Sequence, residues 1–310
     1  MAIETHYDAI VIGGGPAGLS AALWCADLGL RTVILESEKE LGGQLLRIFN
    51  TIQNYPGIED ASGNELRDRM LEQVQKFRVE LRTGVSIANI DLRARLIRLE
   101  DDAVLNSRSI IIATGVRRRK LGVTGEDEFG GRGVLDSGVR NRESVIGKRV
   151  VIIGGGDAAL ENAIILGNAA ESVTVVHRGE QFRARREFVA QAETMKNVVF
   201  LRGHVVETII GNSNVTDVEI RRFGSLQTSI LPADAVLIRI GVVPNSHLFT
   251  DQILLASGGY IAVDTTCRTN VERVYAVGDV ADPVSPTIVT AAGMGAAAAK
   301  AAYSAISSDR

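Results

Sequence analysis

Two stretches of this 310-residue chain share one pattern, an apolar run followed by closely spaced glycines and small residues. They are YDAIVIGGGPAGLSAA, residues 7–22, and KRVVIIGGGDAALENA, residues 148–163. Short apolar runs are typical of parallel strands buried on both faces, and glycines after such a strand permit a tight turn into a helix. The chain is therefore predicted to contain two units of alternating strands and helices, an α/β architecture.

The first stretch has the complete set of features of a dinucleotide site. Gly13, Gly15 and Gly18 stand in G-x-G-x-x-G register after a predicted strand. The first glycine permits the turn, the second admits a pyrophosphate, and the third lets the helix pack on the strand. A second predicted strand, LRTVILE, ends in Glu36. A carboxylate there accepts hydrogen bonds from ribose hydroxyls and repels a 2′-phosphate, which predicts an adenosine without that phosphate.

The second stretch follows the same plan but ends in different charges. The residues in G-x-G-x-x-A register are Gly154, Gly156 and Ala159. The next predicted strand, Ser172–Val176, is followed by His177 and Arg178, with Arg183 shortly after. Cations at this place favour a phosphorylated ribose, so NADP is predicted, the alternative being a solvated basic turn. Because two nicotinamides have little to exchange, the pair of sites indicates a flavin in one and a nicotinamide in the other.

The composition argues against several other classes of protein. The net charge of −3 gives no reason to expect a nucleic acid or an anionic membrane as partner. No apolar run approaches the ~20 residues that span a bilayer, and no basic leader precedes the first strand, so a cytoplasmic location is expected. The two cysteines, Cys25 and Cys267, form no C-x-x-C, and the four histidines lack metal-ligand spacing, so no metal site is predicted.

Further segments complete a resemblance to a known family. SIIIATG (109–115) and VERVYAVGDV (271–280) look like strands ending in small-residue turns, and ELGGQL and NYPG lie between the two glycine stretches. Together they closely resemble the low-molecular-weight thioredoxin reductases, the class II pyridine nucleotide-disulfide oxidoreductases, along essentially the whole chain. The resemblance implies two Rossmann-like domains of three-layer ββα type, with the second inserted into the first, and a homodimer.

The resemblance also implies domain limits and cofactor contacts. An FAD-binding domain would comprise residues 1–116 and 246–310, and an NAD(P)H-binding domain residues 117–245, with RRRKLG and GVVPNS as hinge strands. The implied FAD contacts are Gly13, Gly15, Gly18, Glu36, Gln44, Asn54, Thr114, Gly115, Gly278, Asp279, Thr287 and Ile288. The implied NADPH contacts are Gly154, Gly156, Asp157, Ala159, His177, Arg178 and Arg183. For Gln44 and Asn54 the alternative is ordinary polar loop residues.

The stretch SPTIVTAAGMG predicts a helix with Pro286 in its first turn, where proline is favoured. Its N-terminal dipole is suited to stabilise negative charge on reduced flavin, the alternative being a packing helix of small residues.

The chain departs from the family at three places. The family has a redox-active C-x-x-C where this chain has Ser137 and Arg140, and these two side chains cannot cycle between dithiol and disulfide. The family has an Arg-Gln pair at Pro286–Thr287, and commonly a second arginine at Gly179. The last difference predicts a preference for NADPH over NADH that is not strong.

Three functions remain open from the sequence. The first is an FAD-dependent NAD(P)H oxidoreductase that passes electrons directly to an external acceptor such as ferredoxin, flavodoxin or a quinone. The second is a non-catalytic FAD- and nucleotide-binding paralogue, and the third a residual disulfide reductase that uses a partner's thiols. Residues 117–245 carry a net charge of +3 and the rest −6, which suits an acidic carrier protein or simply reflects a solvated surface.

Overall fold

The computed structural model describes residues 4–309. Residues 118–242 form one compact unit, and the chain up to Arg117 together with the chain from Val243 forms another. We call these the inserted unit and the outer unit. Strands β7 and β16, which carry the chain across the two boundaries, pair with each other in a two-stranded sheet.

The helices and strands up to the first boundary are β1 (Glu4–Ile12), α1 (Pro16–Asp27), β2 (Thr32–Leu35), α2 (Gly63–Gln75), β3 (Val79–Arg82), β4 (Ile87–Asp91), β5 (Leu96–Leu99), β6 (Val104–Ile112) and β7 (Val116–Arg118). Those that follow are β8 (Val134–Leu135), β9 (Arg149–Gly154), α3 (Asp157–Gly167), β10 (Ser172–His177), α4 (Arg186–Glu193), β11 (Val198–Arg202), β12 (His204–Gly211), β13 (Val215–Arg222), β14 (Thr228–Pro232), β15 (Ala235–Arg239), β16 (Val242–Pro244), β17 (Val274–Ala276) and α5 (Ile288–Ser307).

The outer unit is built on a sheet in which β3, β2, β1 and β6 are parallel neighbours. Strand β6 pairs with antiparallel β5 along its first half and with parallel β17 along its second half. Helices α1, α2 and α5 cover one face through an apolar cluster, and the β4–β5 hairpin contributes to the apolar cluster on the opposite face. These are the three layers that the family resemblance predicts.

The inserted unit repeats this arrangement. Its central sheet has the strand order β11-β10-β9-β15-β8, with parallel pairing throughout. Helices α3 and α4 pack on one face, and the antiparallel sheet β12-β13-β14 packs on the other. The strand order reverses between β9 and β15, so the first glycine of the second turn lies at the switch point of the sheet. The predicted fold class is therefore confirmed.

The C-terminal segment differs from its prediction. Helix α5 begins at Ile288 with Thr287 as its N-cap, whose hydroxyl accepts a hydrogen bond from the backbone N–H of Thr290 at 3.2 Å. Pro286 therefore precedes the cap and is not in the first turn, because the threonine side chain already satisfies an open N–H group. The strand expected over 271–280 is only Val274–Ala276, and Gly278–Val280 forms a 3-10 turn.

Candidate nucleotide-binding sites

The first glycine turn leaves no room for side chains at two of its positions. A Cβ on Gly13 would lie 2.4 Å from the carbonyl oxygen of Ala113, and Gly13 has a φ of +107°. A Cβ on Gly18 would lie 1.9 Å from the carbonyl oxygen of Gly13. These two glycines are thus required for the close approach of β1, α1 and the end of β6, as the motif predicts.

Gly15 faces open space instead. The nearest atom to a Cβ at this position is the Cα of Gly43, 3.9 Å away, and Gly15 caps α1 without any side-chain hydrogen bond. Helix α2, by contrast, is closed by a capping box between Ser62 and Glu65. The N-terminus of α1 therefore presents backbone N–H groups that no capping side chain satisfies, and this arrangement fits a pyrophosphate.

Glu36 lies directly beside this turn. Its side chain is buried, with 8% of its surface exposed. Oε2 accepts a hydrogen bond from the backbone N–H of Gly14 at 2.7 Å, and Oε1 accepts one from the N–H of Glu38 at 2.9 Å. Each carboxylate oxygen keeps acceptor capacity, so the group fits the ribose hydroxyls expected at the end of a second strand.

Three further predicted residues come together around the end of β6. Thr114 donates its hydroxyl to the carbonyl oxygen of Asn245 at 2.8 Å, and the Asn245 side-chain amide donates to the carbonyl oxygen of Thr114 at 2.8 Å. The backbone N–H of Asn245 donates to the carbonyl oxygen of Gly115 at 2.9 Å. Gln44 donates to the carbonyl oxygen of Val116 at 2.8 Å. Sequence reasoning missed Asn245, whose only signal is its place in the segment GVVPNS.

The predicted residues after β17 lie against α1. A Cβ on Gly278 would lie 2.8 Å from the Cβ of Ala17, so this glycine permits close packing on the first turn of α1. The next residue, Asp279, is half-buried and, within residues 4–309, receives no hydrogen bond. Burial, with a smaller contribution from Asp282, raises the pKa of Asp279. An unpartnered, half-buried carboxylate beside α1 fits a ligand hydroxyl.

Asn54, Thr287 and Ile288 are less integrated. Asn54 is exposed in the loop of residues 53–59, which encloses a surface pocket, and its side chain has no hydrogen-bond partner in the described chain. The Thr287 hydroxyl is engaged in capping α5, and Ile288 packs on the small apolar cluster around Leu45 and Leu66. Within residues 4–309, no hydrogen bond joins the side chain of any of these three residues to the first glycine turn.

The second glycine turn has the same construction. A Cβ on Gly154 would lie 2.1 Å from the carbonyl oxygen of Arg239, whereas a Cβ on Gly156 would meet nothing within 4 Å. Gly156 caps α3 without a side-chain hydrogen bond, and Ala159 is fully buried. Asp157 is held by Arg185, whose backbone N–H and Nε donate to the carboxylate at 2.7 and 2.9 Å. The open helix end again fits a pyrophosphate.

His177 differs from its expected role as a cation near a phosphate. His177 is 8% exposed. A Cβ on Gly155 would lie only 2.4 Å from a carbon of the His177 ring, so the ring packs closely against this glycine. Its Nε2 lies 3.1 Å from the carbonyl oxygen of Gln181, and the ring stacks on Phe182. Burial, chiefly, lowers the pKa of His177, so the ring is neutral at neutral pH. The neutral ring therefore packs against the glycine turn at Gly155.

Arg178 and Arg183 are the exposed cations of this region. Neither side chain forms a hydrogen bond or salt bridge with any other residue that the structure describes. The backbone N–H of Arg183 donates to the carbonyl oxygen of Gly155 at 2.8 Å, which fixes its loop beside the glycine turn. Two such guanidinium groups at the end of β10 fit a 2′-phosphate on an adenosine ribose.

Ser137 and Arg140 lie in one tight turn between β8 and β9. The N–H of Asn141 donates to the Ser137 carbonyl oxygen at 3.0 Å, and the Asn141 side chain accepts from the N–H of Ser137 at 3.1 Å. Ser137 is buried, while Arg140 is largely exposed and lies 3.9 Å from the carboxylate of Asp136. Among residues 4–309 the Ser137 hydroxyl accepts only the backbone N–H of Arg140, at 3.5 Å, and donates to no basic side chain, so this turn shows no activated nucleophile.

Both cysteines are buried in the core of the outer unit, on the face covered by α1 and α5. Burial raises the pKa of Cys25 to about 12, and burial together with Asp264 raises that of Cys267 to about 11. The protonated thiol is a poor nucleophile, so neither side chain is suited to a disulfide relay.

Residues 4–309 offer neither a metal-binding cluster nor a membrane-spanning helix. Histidine, cysteine, aspartate and glutamate side chains nowhere cluster in a group able to hold a metal ion there. In that same part of the chain, no helix combines the length and apolarity that a membrane crossing requires.

Comparison with known proteins extends over nearly the whole chain. Residues 7–295 match the family described as pyridine nucleotide-disulphide oxidoreductase. The thioredoxin reductase of Listeria innocua is 36% identical over 293 residues, which cover 94% of this chain and 91% of that protein. The thioredoxin reductase of Bacillus subtilis is 35% identical over 306 residues, covering 97% and 95%.

Solved structures agree with these relatives. The crystal structure of Lactococcus lactis thioredoxin reductase in the FR conformation matches with a TM-score of 0.85 and 33% identity, covering 97% of this chain and 99% of that one. The bacillithiol disulfide reductase Bdr of Bacillus cereus matches with a TM-score of 0.79 at 18% identity, covering 97% and 99%, which is a likeness of fold alone. This chain belongs to the pyridine nucleotide-disulphide oxidoreductase family and has the thioredoxin reductase fold.

Proposed function

We propose that this flavoprotein oxidoreductase binds FAD in the outer unit and NADPH in the inserted unit, and passes electrons from NADPH through FAD directly to an external acceptor. Together the two cofactors would supply hydride transfer. The acceptor is a small redox carrier such as ferredoxin or flavodoxin, or a quinone, and no dithiol of this chain takes part. A homodimer, as the family resemblance implies, is part of the proposal.

The outer unit supports FAD by the chemistry of its residues. Gly15 leaves space at the open N-terminus of α1 for a pyrophosphate, and the Glu36 carboxylate is placed for an unphosphorylated ribose. Asp279 is half-buried and directly follows Gly278, which packs on the first turn of α1, so its carboxylate fits a ligand hydroxyl. The residues present therefore fit the cofactor.

The inserted unit supports NADPH in the same way. Gly156 leaves the N-terminus of α3 open, and Arg178 and Arg183 offer two unpaired guanidinium groups at the end of β10. Glu36 occupies the equivalent place in the outer unit, so the two units favour opposite states of the ribose 2′-position.

The observation that carries the direct route is the absence of a usable dithiol. A relay needs two sulfur atoms within bonding distance, in a place where thiolates form. Where relatives of the family have C-x-x-C, this chain has Ser137 and Arg140, and its two cysteines are buried with raised pKa values. Electrons would then leave from the flavin itself.

A paired turnover assay tests this function. The purified full-length protein is first examined for bound flavin, and the flavin is released by heat and identified by chromatography. NADPH oxidation is then followed with thioredoxin and a disulfide reporter in one arm, and with ferredoxin, flavodoxin, a quinone and ferricyanide in turn in the other. The double variant Cys25→Ala, Cys267→Ala is the matched control. We expect anaerobic bleaching by NADPH, turnover in the second arm, and no change in the control.

Three outcomes contradict the proposal in different ways. Thioredoxin turnover that the double variant retains indicates a disulfide reductase using a partner's thiols. Thioredoxin turnover that the double variant loses indicates a relay through Cys25 or Cys267. Bound flavin that NADPH does not bleach, with no turnover in either arm, indicates a non-catalytic binding protein.

A further inference from the structure

Arg239 occupies the switch point of the sheet in the inserted unit. It is the last residue of β15 and pairs with Gly154, the last residue of β9. The two backbones are so close that a Cβ on Gly154 would lie 2.1 Å from the Arg239 carbonyl oxygen. In open α/β sheets the ligand crosses the carboxyl ends of the strands at this point.

The guanidinium of Arg239 has a second cation for a neighbour. Its Nη2 donates to the carbonyl oxygen of Asp136 at 2.8 Å, and Nη1 of Arg118 donates to that same oxygen. Nη1 of Arg239 donates to the carbonyl oxygen of Ile238 at 2.8 Å. The acceptors of Arg239 are thus neutral carbonyl groups, and within residues 4–309 it forms no salt bridge.

The Arg239 guanidinium therefore has no hydrogen-bonded or ion-paired carboxylate among residues 4–309, and it lies in a partly desolvated place. Burial first, and then Arg118, lowers the pKa of Arg239 to about 10, which the Asp136 carboxylate only partly offsets. That carboxylate lies 3.9 Å from the guanidinium of Arg140. Because Arg239 remains charged at neutral pH, an anion bound there would replace solvation that burial has removed.

The direction of a bound dinucleotide decides which anion this is. Its adenosine ribose lies at the end of β10, where Arg178 and Arg183 stand, and its pyrophosphate lies at the N-terminus of α3. The nicotinamide half must then continue across the switch point toward β15. A guanidinium at the end of β15 is therefore on the nicotinamide side of the pyrophosphate.

We propose that Arg239, held beside Arg118 by the shared carbonyl oxygen of Asp136, binds the phosphate that carries the nicotinamide ribose. This inference rests on the proposed NADPH site in the inserted unit. It gives the dinucleotide a further arginine contact, separate from the contacts of Arg178 and Arg183 with the 2′-phosphate. Arg239 thereby fixes the nicotinamide half, and Arg178 discriminates between the two nicotinamide nucleotides.

Calorimetric titration of the full-length protein separates these roles without turnover. The three probes are NADP⁺, NAD⁺ and 2′,5′-ADP, of which the last lacks the nicotinamide half. The variants are Arg239→Met and Arg178→Met, with Arg222→Met as the control because Arg222 is an exposed arginine of β13 in the same unit. Arg118→Met is a second variant should Arg239→Met not fold, as judged by circular dichroism.

Arg239→Met should lower the affinity for NADP⁺ and for NAD⁺ about tenfold or more, and it should leave the affinity for 2′,5′-ADP within about twofold of the wild type. Arg178→Met should lower the affinity for NADP⁺ and for 2′,5′-ADP and leave the affinity for NAD⁺ nearly unchanged. Arg222→Met should change none of the three affinities. Unchanged NADP⁺ affinity in Arg239→Met, or an equal loss for 2′,5′-ADP, overturns the inference alone. A wild-type protein that binds none of the three probes overturns the proposed NADPH site as well.

Discussion

The carboxylate of Glu36 accepts a hydrogen bond from the backbone N–H of Gly14 at 2.7 Å, so the end of β2 is bound to the glycine turn after β1. This bond joins two segments that are 22 positions apart in the chain. It places an anionic group beside the open N-terminus of α1, and we expect Glu36 to act both in stability and in the proposed binding of FAD.

Replacing Glu36 tests both parts. Glu36→Ala leaves the N–H groups of Gly14 and Glu38 without their acceptor, and we expect a loss of about 1–3 kcal/mol in the free energy of unfolding. Glu36→Gln keeps one acceptor oxygen and should lose less stability, yet both variants should bind FAD more weakly. Urea unfolding and flavin titration measure the two effects. Glu38→Ala, at an exposed neighbour, is the control, and equal FAD affinity in all variants would contradict the ribose contact.

Alanine at the glycines should separate folding from ligand binding. Gly15 and Gly156 have φ values of −75° and −99°, and a Cβ at either meets nothing closer than 3.9 Å. Gly15→Ala and Gly156→Ala should therefore fold normally but weaken FAD and NADPH respectively, by about 1–3 kcal/mol through steric conflict with the ligand. Gly18→Ala, whose Cβ would lie 1.9 Å from an oxygen, should instead lower the melting temperature. Unchanged ligand affinity in the first two variants argues against the sites.

NADPH should be preferred over NADH through Arg178. Removing one charge-assisted hydrogen bond costs about 1.5–3 kcal/mol, so Arg178→Ala should weaken NADPH by that amount and leave NADH nearly unchanged. Anaerobic flavin reduction by each nucleotide measures the ratio, with Arg222→Ala as the matched control. An equal loss for both nucleotides would show that Arg178 does not contact the 2′-phosphate.

Asp279→Asn should raise the stability of the flavin-free protein while weakening FAD. Because burial raises the folded-state pKa of Asp279, the ionised carboxylate is disfavoured in the folded state. The gain in stability from asparagine is therefore absent below the ordinary pKa of 3.8. It grows as the pH rises toward the raised pKa of the folded state, and it is complete above that pKa. Melting temperatures across this pH range check the sign. A flavin-free variant less stable than the wild type at neutral pH would contradict it.

The ion pair between Arg149 and Asp234 predicts the opposite pH dependence. Hydrogen bonds from Arg149 lower the pKa of Asp234 to about 2, so the pair stabilises fully above the ordinary value of 3.8 and is lost as the pH falls through about 2. Both side chains are more than a third exposed, so Asp234→Asn should cost only about 0.5–1 kcal/mol at neutral pH. Urea unfolding at neutral pH and between pH of about 2 and 4 should show this difference shrinking.

The exposed pair of Lys120 and Asp127 provides the control for that measurement. Asp127→Asn should change the free energy of unfolding very little at either pH, because both partners are highly exposed. If Asp234→Asn still lowers the free energy of unfolding at low pH, the loss would come from packing and not from the ion pair.

Local sequence was sufficient for the two strand–turn–helix units. A buried apolar run and glycines in fixed register specify β1 with α1 and β9 with α3, because the close approaches involve neighbouring segments. The start of α5 was less well predicted, since proline signals a first turn but the Thr287 hydroxyl determined where the helix begins.

Contacts between distant segments required the tertiary structure. The sequence predicts that His177 is a cation at the end of a strand. The fold buries its ring against Gly155, where desolvation favours the neutral form. Arg239 and Asp136 are 103 positions apart, and nothing in either segment indicates that two arginines meet one carbonyl oxygen. The sequence by itself determined the residue types, the periodicity and the missing C-x-x-C. Only the packed sheets decided which of those charges are buried, because desolvation depends on neighbours that the chain brings together from far apart.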